Sequence, residues 1–388
     1  MKRQKVCIIG GGLTGLATAL TLAQLNLDID LISADTINNS TKSIRTTAIS
    51  QSNYNFLKKI TNNKFSKKNF WPCIKMKLYT EDKNKKINEI FEIDKSVKNK
   101  EKIFYTINNL MLTKLLINNI KRSKTINIKF GKKISEIFDK GLLKGISIGK
   151  DRSSKYNLII VCTGSFSNFV KNIFKEESLQ RSYNELSITT IVKHSSIQNN
   201  TARQIFLDGE IFALLPIAKD KTSIVWSAKK SKINKYMIKN KIKLYTKNFL
   251  KKTRFISDLE YKNLNLYIRN KYFKDRLLLL GEALHQVHPL TGQGFNMVLR
   301  DLLSFEKILK TKINLGLDIG SLDILSEFSK KTKPRNFVYS LGIDFIRNFF
   351  HIENKSFKNL RNKAIKKLNQ NSFTKDIFYN IADRGIKF

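Results

Sequence analysis

Acidic residues are scarce in this chain. Its 388 residues hold 31 Asp and Glu against 72 Lys and Arg, a formal charge of +41. Such a balance excludes an acidic, solvating chain and raises nucleic acid or anionic lipid as partners. The lysines, however, are spread over the whole length among Asn and Ile. The densest runs, Lys229 to Lys243 and Lys355 to Lys367, have helical patterning and read as solvated helix faces. Nucleic acid is therefore not expected as a partner, and an anionic membrane surface stays open as one. Only 4 prolines and 17 glycines are present, which excludes collagen-like and low-complexity classes. The 3 cysteines, Cys7, Cys73 and Cys162, lie far apart with no CxxC or metal-type spacing. They read as buried thiols of a reducing compartment, and no metal site is expected. No apolar run approaches the ~18 residues of a bilayer span. The basic start, Met1 to Val6, runs into glycines and an amphipathic stretch and does not read as a signal peptide. The expected location is cytoplasmic, with peripheral attachment to the inner membrane open.

Against these absences stands an apolar fraction of 41%, with 10% aromatic, enough to bury a core despite the charge. The length fits two or three domains or one discontinuous one. Val6 to Ile9 reads as a buried parallel strand, Leu13 to Leu25 has helical spacing, and Leu27 to Ile32 reads as a second strand. Helical spacing recurs near Tyr54 to Ile60 and over Asn109 to Ile120. Asn127 to Lys150 alternates like strands divided by glycine turns. Asn157 to Cys162 and Arg276 to Leu280 are further buried-strand runs. Between them, Ser187 to Ala228 is rich in strands and Lys230 to Lys252 reads as a helix. From Leu322 onward the pattern is helical. The expectation is an α/β fold with an α+β insertion. A Rossmann-like nucleotide-binding domain would occupy 1–75, 100–180 and 265–330. A mostly antiparallel β-rich domain would occupy 76–99 and 181–264, and a helical segment 331–388.

Two glycine-rich stretches carry chemistry. Gly10-Gly11-Gly12-Leu13-Thr14-Gly15 follows a strand and opens a helix, the context in which GxGxxG binds a dinucleotide. Gly10 permits the tight turn, Gly12 leaves room for a pyrophosphate, and Gly15 allows close helix–sheet packing. The helix start, with Leu13 and Thr14, offers free N–H groups to phosphate. The acid expected to bond the ribose is displaced: the second strand ends on Ser33, with Asp35 just beyond and Asp30 just before. The second stretch, Arg276 to Asp301, delivers a strand into Gly281-Glu282 and then a Pro-Leu-Thr-Gly-Gln-Gly loop leading to a helix. Its backbone amides suit a flat anionic ligand, and a plain β–α connection is the alternative. His285 and His288 are three apart, but the loop context favours structural or ligand-adjacent roles over a metal. Arg300-Asp301 reads as a helix charge pair, and His194 and His351 carry no signal.

Together these motifs resemble the FAD-dependent aromatic hydroxylase family, and within it the ubiquinone-biosynthesis monooxygenases. The resemblance rests on GxGxxG at Gly10 to Gly15 and GEALHQVHPLTGQGFN from Gly281 to Asn296. IRTTAIS at Ile44 to Ser50, FALLP at Phe212 to Pro216 and SIVWS at Ser223 to Ser227 support it. It implies FAD held at Gly10, Gly12, Leu13, Thr14 and Gly15, with Ser33 or Asp35 at the ribose and Arg45, Thr163 and Gly164 near the cofactor. Gly281 and Glu282 would serve the ribityl chain, Pro289 and His285 would face the flavin, and Gly292, Gln293, Gly294, Phe295 and Asn296 its pyrimidine edge. No catalytic residue is otherwise assigned. The implied activity is hydroxylation of a polyprenylated phenol in ubiquinone synthesis, using NADPH or NADH and O2 by way of a flavin C4a-hydroperoxide. A quinone-biosynthesis complex is open as a partner. Three departures stand out: Thr163-Gly164 where the family has Asp-Gly, Glu282 in place of Asp, and Leu110 in place of a basic residue. They motivate an alternative, a degenerate non-catalytic subunit of such a complex.

Overall fold

The computed structural model describes residues 3–36, 43–82, 84–95, 102–149, 151–152, 155–164, 168–174, 178–352 and 354–386. Met1, Lys2 and Lys150, which fall in stretches read above, lie outside them. The chain opens on β1 (Lys5–Ile9), turns into α1 (Leu13–Ala23) and returns as β2 (Asp28–Ser33). Next, β3 (Thr46–Ser50) runs directly into α2 (Gln51–Ile60). Four strands follow, β4 (Trp71–Cys73), β5 (Lys75–Glu81), β6 (Ile87–Asp94) and β7 (Phe104–Asn108), and then α3 (Asn109–Ile120). The chain continues through β8 (Ile126–Phe130), β9 (Ile134–Lys140), β10 (Leu143–Ile148), β11 (Asp151–Arg152), β12 (Leu158–Val161) and α4 (Asn168–Ile173). Long strands come next: β13 (Ser178–His194), β14 (Thr201–Phe206), β15 (Glu210–Ala218) and β16 (Lys221–Lys229). After α5 (Ile238–Leu250) come β17 (Thr253–Phe255), β18 (Glu260–Arg269), β19 (Phe273–Lys274), β20 (Leu277–Leu279) and β21 (His285–Gln286). The helices α6 (Gly294–Asn314), α7 (Leu322–His351), α8 (Lys355–Gln370) and α9 (Ser372–Arg384) complete it.

Six strands form a sheet ordered β19-β20-β12-β1-β2-β8, parallel throughout except at β19. Its inner strands are apolar on both faces, as a sheet covered on both sides requires. Val6, Cys7, Ile8, Ile159, Ile160 and Leu278 have no exposure and share one core with α1 and α6. Thr18 and Thr21 inside α1 satisfy their buried hydroxyls by donating to the carbonyls of Thr14 and Ala17, both at 2.8 Å. The start of α3 is fixed by Asn108, whose side chain accepts from Leu110 N at 2.9 Å.

The large sheet, ordered β21-β18-β13-β16-β15-β14-β5-β6 with β17 also on β13, is mostly antiparallel. One face carries Ile188, Val192, Phe212, Ile224 and Trp226 and is covered by Ile238, Ile242 and Leu250 of α5. A small sheet is ordered β3-β7-β4, and its strands β4 and β7 lie against β15 of the large sheet. The fold is thus a Rossmann-like α/β layer joined to a β-rich layer and closed by helices.

Local patterning fails in two places. The helix expected over 230–252 begins only at Ile238. Ile238, Ile242, Thr246 and Leu250 make a buried stripe, whereas 234–237 are exposed and have no face to bury. The strands β5, β6 and β18 are half-buried and interrupted by Lys, Asn and Glu. Their period-2 signal is diluted where polar residues fall on the wetter face.

Candidate functional site

In the parallel sheet the chain leaves β1 toward β2 on one side and reaches β12 on the other. A crevice forms at such a reversal, beyond the carboxyl ends of the strands. The first glycine loop lies there. Gly10 has φ +117°, which L side chains rarely adopt, and a Cβ on it would stand 2.8 Å from the carbonyl of Cys162. Gly15 packs against the turn itself: its Cβ would lie 1.8 Å from the Gly10 carbonyl. Gly12 differs, being exposed with no described residue within 4 Å of a Cβ. Among the described residues no side chain caps the first turn of α1 and no acid lies in it, which leaves its first N–H groups without a side-chain partner. Gly11, which the GxGxxG reading leaves free, is also required: its Cβ would meet Ser33 Oγ at 2.7 Å and the Phe130 ring at 2.9 Å. The run of three glycines was the available signal.

The late motif reaches the same crevice. Gly281, at φ +69°, lies so close to Thr14 that a Cβ would stand 2.6 Å from its Oγ1. The two glycine stretches, far apart in sequence, are thereby brought into contact. Pro289 starts a 3-10 turn, Gly292 takes the left-handed conformation, and α6 begins at Gly294 with no side-chain cap. Gly294 is exposed and, like Gly12, has nothing near a Cβ. Asn296 holds the loop from below. Its Nδ2 donates to Ala48 O at 2.8 Å, and its Oδ1 accepts from Ser50 N at 3.0 Å and Asn53 Nδ2 at 2.9 Å. The side chain of Asn296 is thus spent within the protein.

FAD fits this arrangement on three observations. Among the described residues, two helix N-termini have no side-chain cap, two exposed glycines leave space where a side chain would stand, and three buried polar atoms, Thr46 Oγ1, Thr163 Oγ1 and Gln293 Oε1, have no protein partner. Other expected residues are engaged elsewhere. Arg45 pairs with Glu260 of β18 at 2.5 Å, and the same carboxylate accepts from Ile44 N at 3.2 Å. Glu282 stands at the surface with Oε1 3.2 Å from Lys262 Nζ. Ser33 is buried at the end of β2, and Asp35 is exposed beyond it. Asp30 is a core group, receiving Tyr156 Oη at 2.7 Å and Lys5 Nζ at 3.0 Å. Burial alone would raise its pKa, but Tyr156, Lys5 and Asn127 outweigh burial and hold it low.

The two histidines of the late motif diverge. His285, expected to face the flavin, turns its Nε2 to Asp301 Oδ2 at 3.3 Å. Asp301 also accepts from Asn336 Nδ2 at 2.8 Å and lies 3.6 Å from Arg335 of α7. It does not pair with its neighbour Arg300, whose guanidinium lies 4.5 Å over the Tyr339 ring. Residues one apart on a helix point in different directions, so adjacency made no pair. His288 instead meets Glu185 Oε2 at 3.1 Å. Glu185, Glu260 and Asn336 were not apparent from sequence.

The family model described as squalene epoxidase matches residues 155–377, and that described as FAD dependent oxidoreductase matches residues 5–92. Among curated proteins, the chain is similar to the mitochondrial ubiquinone biosynthesis monooxygenase COQ6 of Dictyostelium discoideum, 23% identical over 97% of this chain and 90% of that one. It is also similar to the ubiquinone hydroxylase UbiL of Rhodospirillum rubrum, 28% identical over 43% of this chain and 41% of that one. Among solved structures, p-nitrophenol 4-monooxygenase PnpA of Pseudomonas putida superposes with a TM-score of 0.80 at 15% identity, over 100% of this chain and 99% of that one. HpxO of Klebsiella pneumoniae, complexed with FAD and uric acid, gives 0.76 at 13% identity, over 98% and 96%.

Proposed function

Because the chain belongs to the FAD-dependent monooxygenase family that the squalene epoxidase model describes, we propose that it hydroxylates the ring of a polyprenylated phenol in ubiquinone synthesis. The relatives named for ubiquinone hydroxylation, one of them alignable over nearly the whole chain, support that substrate class. Bound flavin supplies electron transfer from NAD(P)H and activation of oxygen. The chain's own residues bind, orient and exclude water. Gly12 and the α1 N-terminus receive the pyrophosphate. Gln293, Gly294 and the α6 N-terminus oppose negative charge on the pyrimidine edge of the isoalloxazine. Thr163 Oγ1, buried with no partner among the described residues, is free to offer a hydrogen bond there.

The face of the large sheet turned away from α5 suits a ring and its tail. Ser187, Thr189, Ala213, Ser223, Val225 and Ser227 lie on it in adjacent rows of β13, β16 and β15. They are small, four of them are buried polar residues, and Ser223 Oγ has no partner among the described residues. The test is the quinone-intermediate profile of a strain lacking the gene. Accumulation of a prenylphenol one hydroxylation short of the quinone is expected, and an unchanged profile contradicts the proposal.

A substrate with a polyprenyl tail is reached at a lipid surface, and the C-terminal helices suit one with anionic headgroups. Phe345 of α7, Leu360 of α8 and Phe373 of α9 are 65%, 68% and 71% exposed, among the lysines of a +41 chain. Among the described residues no helix is long and apolar enough to cross a membrane. Sedimentation with phosphatidylglycerol vesicles is expected, reduced by salt and by Phe345→Ser with Phe373→Ser. Equal sedimentation with phosphatidylcholine vesicles contradicts an electrostatic attachment.

A further inference from the structure

Glu185 is buried in a chain that has few acids. It lies just past a bulge in β13, where pairing with β18 skips from Ser182 to Glu185 and Asn184 takes φ +53°. The extra residues bend the strand, and Tyr183 and Glu185 are both buried beside the bulge. Three side chains from two other elements converge on the carboxylate. His288 Nε2 approaches at 3.1 Å, Arg347 Nη2 of α7 donates to Oε1, and His351 Nδ1 lies 3.9 Å away. The Arg347 guanidinium sits 4.3 Å over the Tyr183 ring, and the His288 ring meets the same tyrosine edge-on at 5.4 Å. A buried carboxylate persists only when its charge is compensated in this way.

The position of His288 gives the cluster its consequence. It immediately precedes Pro289, the first residue of the loop that runs to Gly294 and the α6 N-terminus. That loop is held by buried side chains at both ends. Asn296 ties its far end to β3, and Glu185 holds its near end through His288. Cutting either tie frees a segment whose backbone must keep the left-handed turn at Gly292. Among the described residues His288 Nδ1, Arg347 Nε and His351 Nε2 are buried there without a hydrogen-bond partner, so the contact with Glu185 is the hydrogen bond that orients the His288 ring.

We propose that Glu185 is a positioning residue for the cofactor, holding the Pro289–Gly294 loop in place through His288, with Arg347 making α7 part of the clamp. The proposal rests on reading that loop as a flavin contact. The test compares FAD-loaded wild type with His288→Gln, whose amide N–H can donate to Glu185, and His288→Leu, which has no donor. FAD affinity by fluorescence titration and the shape of the bound flavin's visible absorption are read on protein whose circular dichroism is that of wild type. His288→Leu is expected to lose about tenfold in affinity, the scale of one hydrogen bond to a charged group, and to change the band shape. His288→Gln is expected to keep both near wild type. Glu185→Gln, which retains an acceptor but no charge, is expected to lie between and serves if His288→Leu does not fold. Wild-type affinity and band shape in folded His288→Leu or Glu185→Gln overturn the clamp. Wild type that takes up no FAD overturns the flavin reading itself, and the clamp with it.

Discussion

Gly12→Trp is expected to yield a folded protein that has lost FAD, whereas Gly15→Val is expected to damage the fold. Both positions belong to one motif, and the structure separates them. Among the described residues nothing lies within 4 Å of a Cβ at Gly12, so they leave room for a side chain there. The indole would occupy the space in front of the α1 N-terminus, where a pyrophosphate needs direct access to backbone N–H groups. A loss of roughly a hundredfold or more in FAD affinity follows from losing those charge-assisted bonds together. At Gly15 a Cβ would stand 1.8 Å from the Gly10 carbonyl. Gly10 is held in place by its N–H, which donates to Ile32 O at 2.8 Å, and by its own φ of +117°. Overpacking of that kind costs on the order of 3 kcal/mol or more. Flavin absorbance after gel filtration and thermal midpoints check the pair. A yellow Gly12→Trp protein, or a Gly15→Val protein as stable as wild type, contradicts this account.

The second large effect is acid destabilisation from the buried group around Glu185. Burial alone would raise the Glu185 pKa, but hydrogen bonds and charge from His288 and Arg347 hold it down at about 2. Burial pushes His288 below its ordinary value more than Glu185 raises it. His351 is lowered to about 4, by burial and then by the charge of Arg347. Arg181 and Tyr183 from β13 and Asp344 from α7 face the same group. All three shifts point the same way. An unfolded chain takes protons on its histidines near 6.5 and its glutamates near 4.5, while the folded one resists until lower pH. The folded state binds fewer protons, so stability is complete above about 6.5 and falls as pH drops. His351 accounts for loss between 6.5 and about 4, His288 adds loss below 6.5, and Glu185 accounts for loss between 4.5 and about 2. Their sum is on the order of a few kcal/mol. Urea midpoints across that range should fall steadily, with a shallower slope in His351→Gln. A flat profile contradicts the arrangement.

Much of the site was legible because its signals are local. The turn at Gly10, the opening at Gly12 and the loop from Pro289 to Gly294 are set by glycines and a proline whose backbone demands do not depend on distant partners. Even there the third requirement of the early loop, Gly11, depends on Ser33 and Phe130 from two other strands. The histidines show the limit. Nothing in the sequence pairs His285 with Asp301, and His351 carried no pattern although it reaches the Glu185 group. Glu185 and His288 are 103 residues apart, and Arg45 and Glu260 more than twice that. A bulge and a sheet register bring such groups together, and neither is written in a local period. The strands of the large sheet were readable where one face is apolar, as in β15 and β16 against α5, and faded where lysines line the wetter face, as in β5.

The most direct test of flavin-dependent ring hydroxylation is the fate of isotopically labelled oxygen. Purified protein loaded with FAD is supplied with NAD(P)H, a prenylphenol and labelled O2, and the product is read by mass spectrometry. This account predicts one labelled oxygen atom on the ring, formed only when FAD is bound and absent with Gly12→Trp. Oxidation of NAD(P)H with no label in the ring, or labelling equal in Gly12→Trp and wild type, would contradict it.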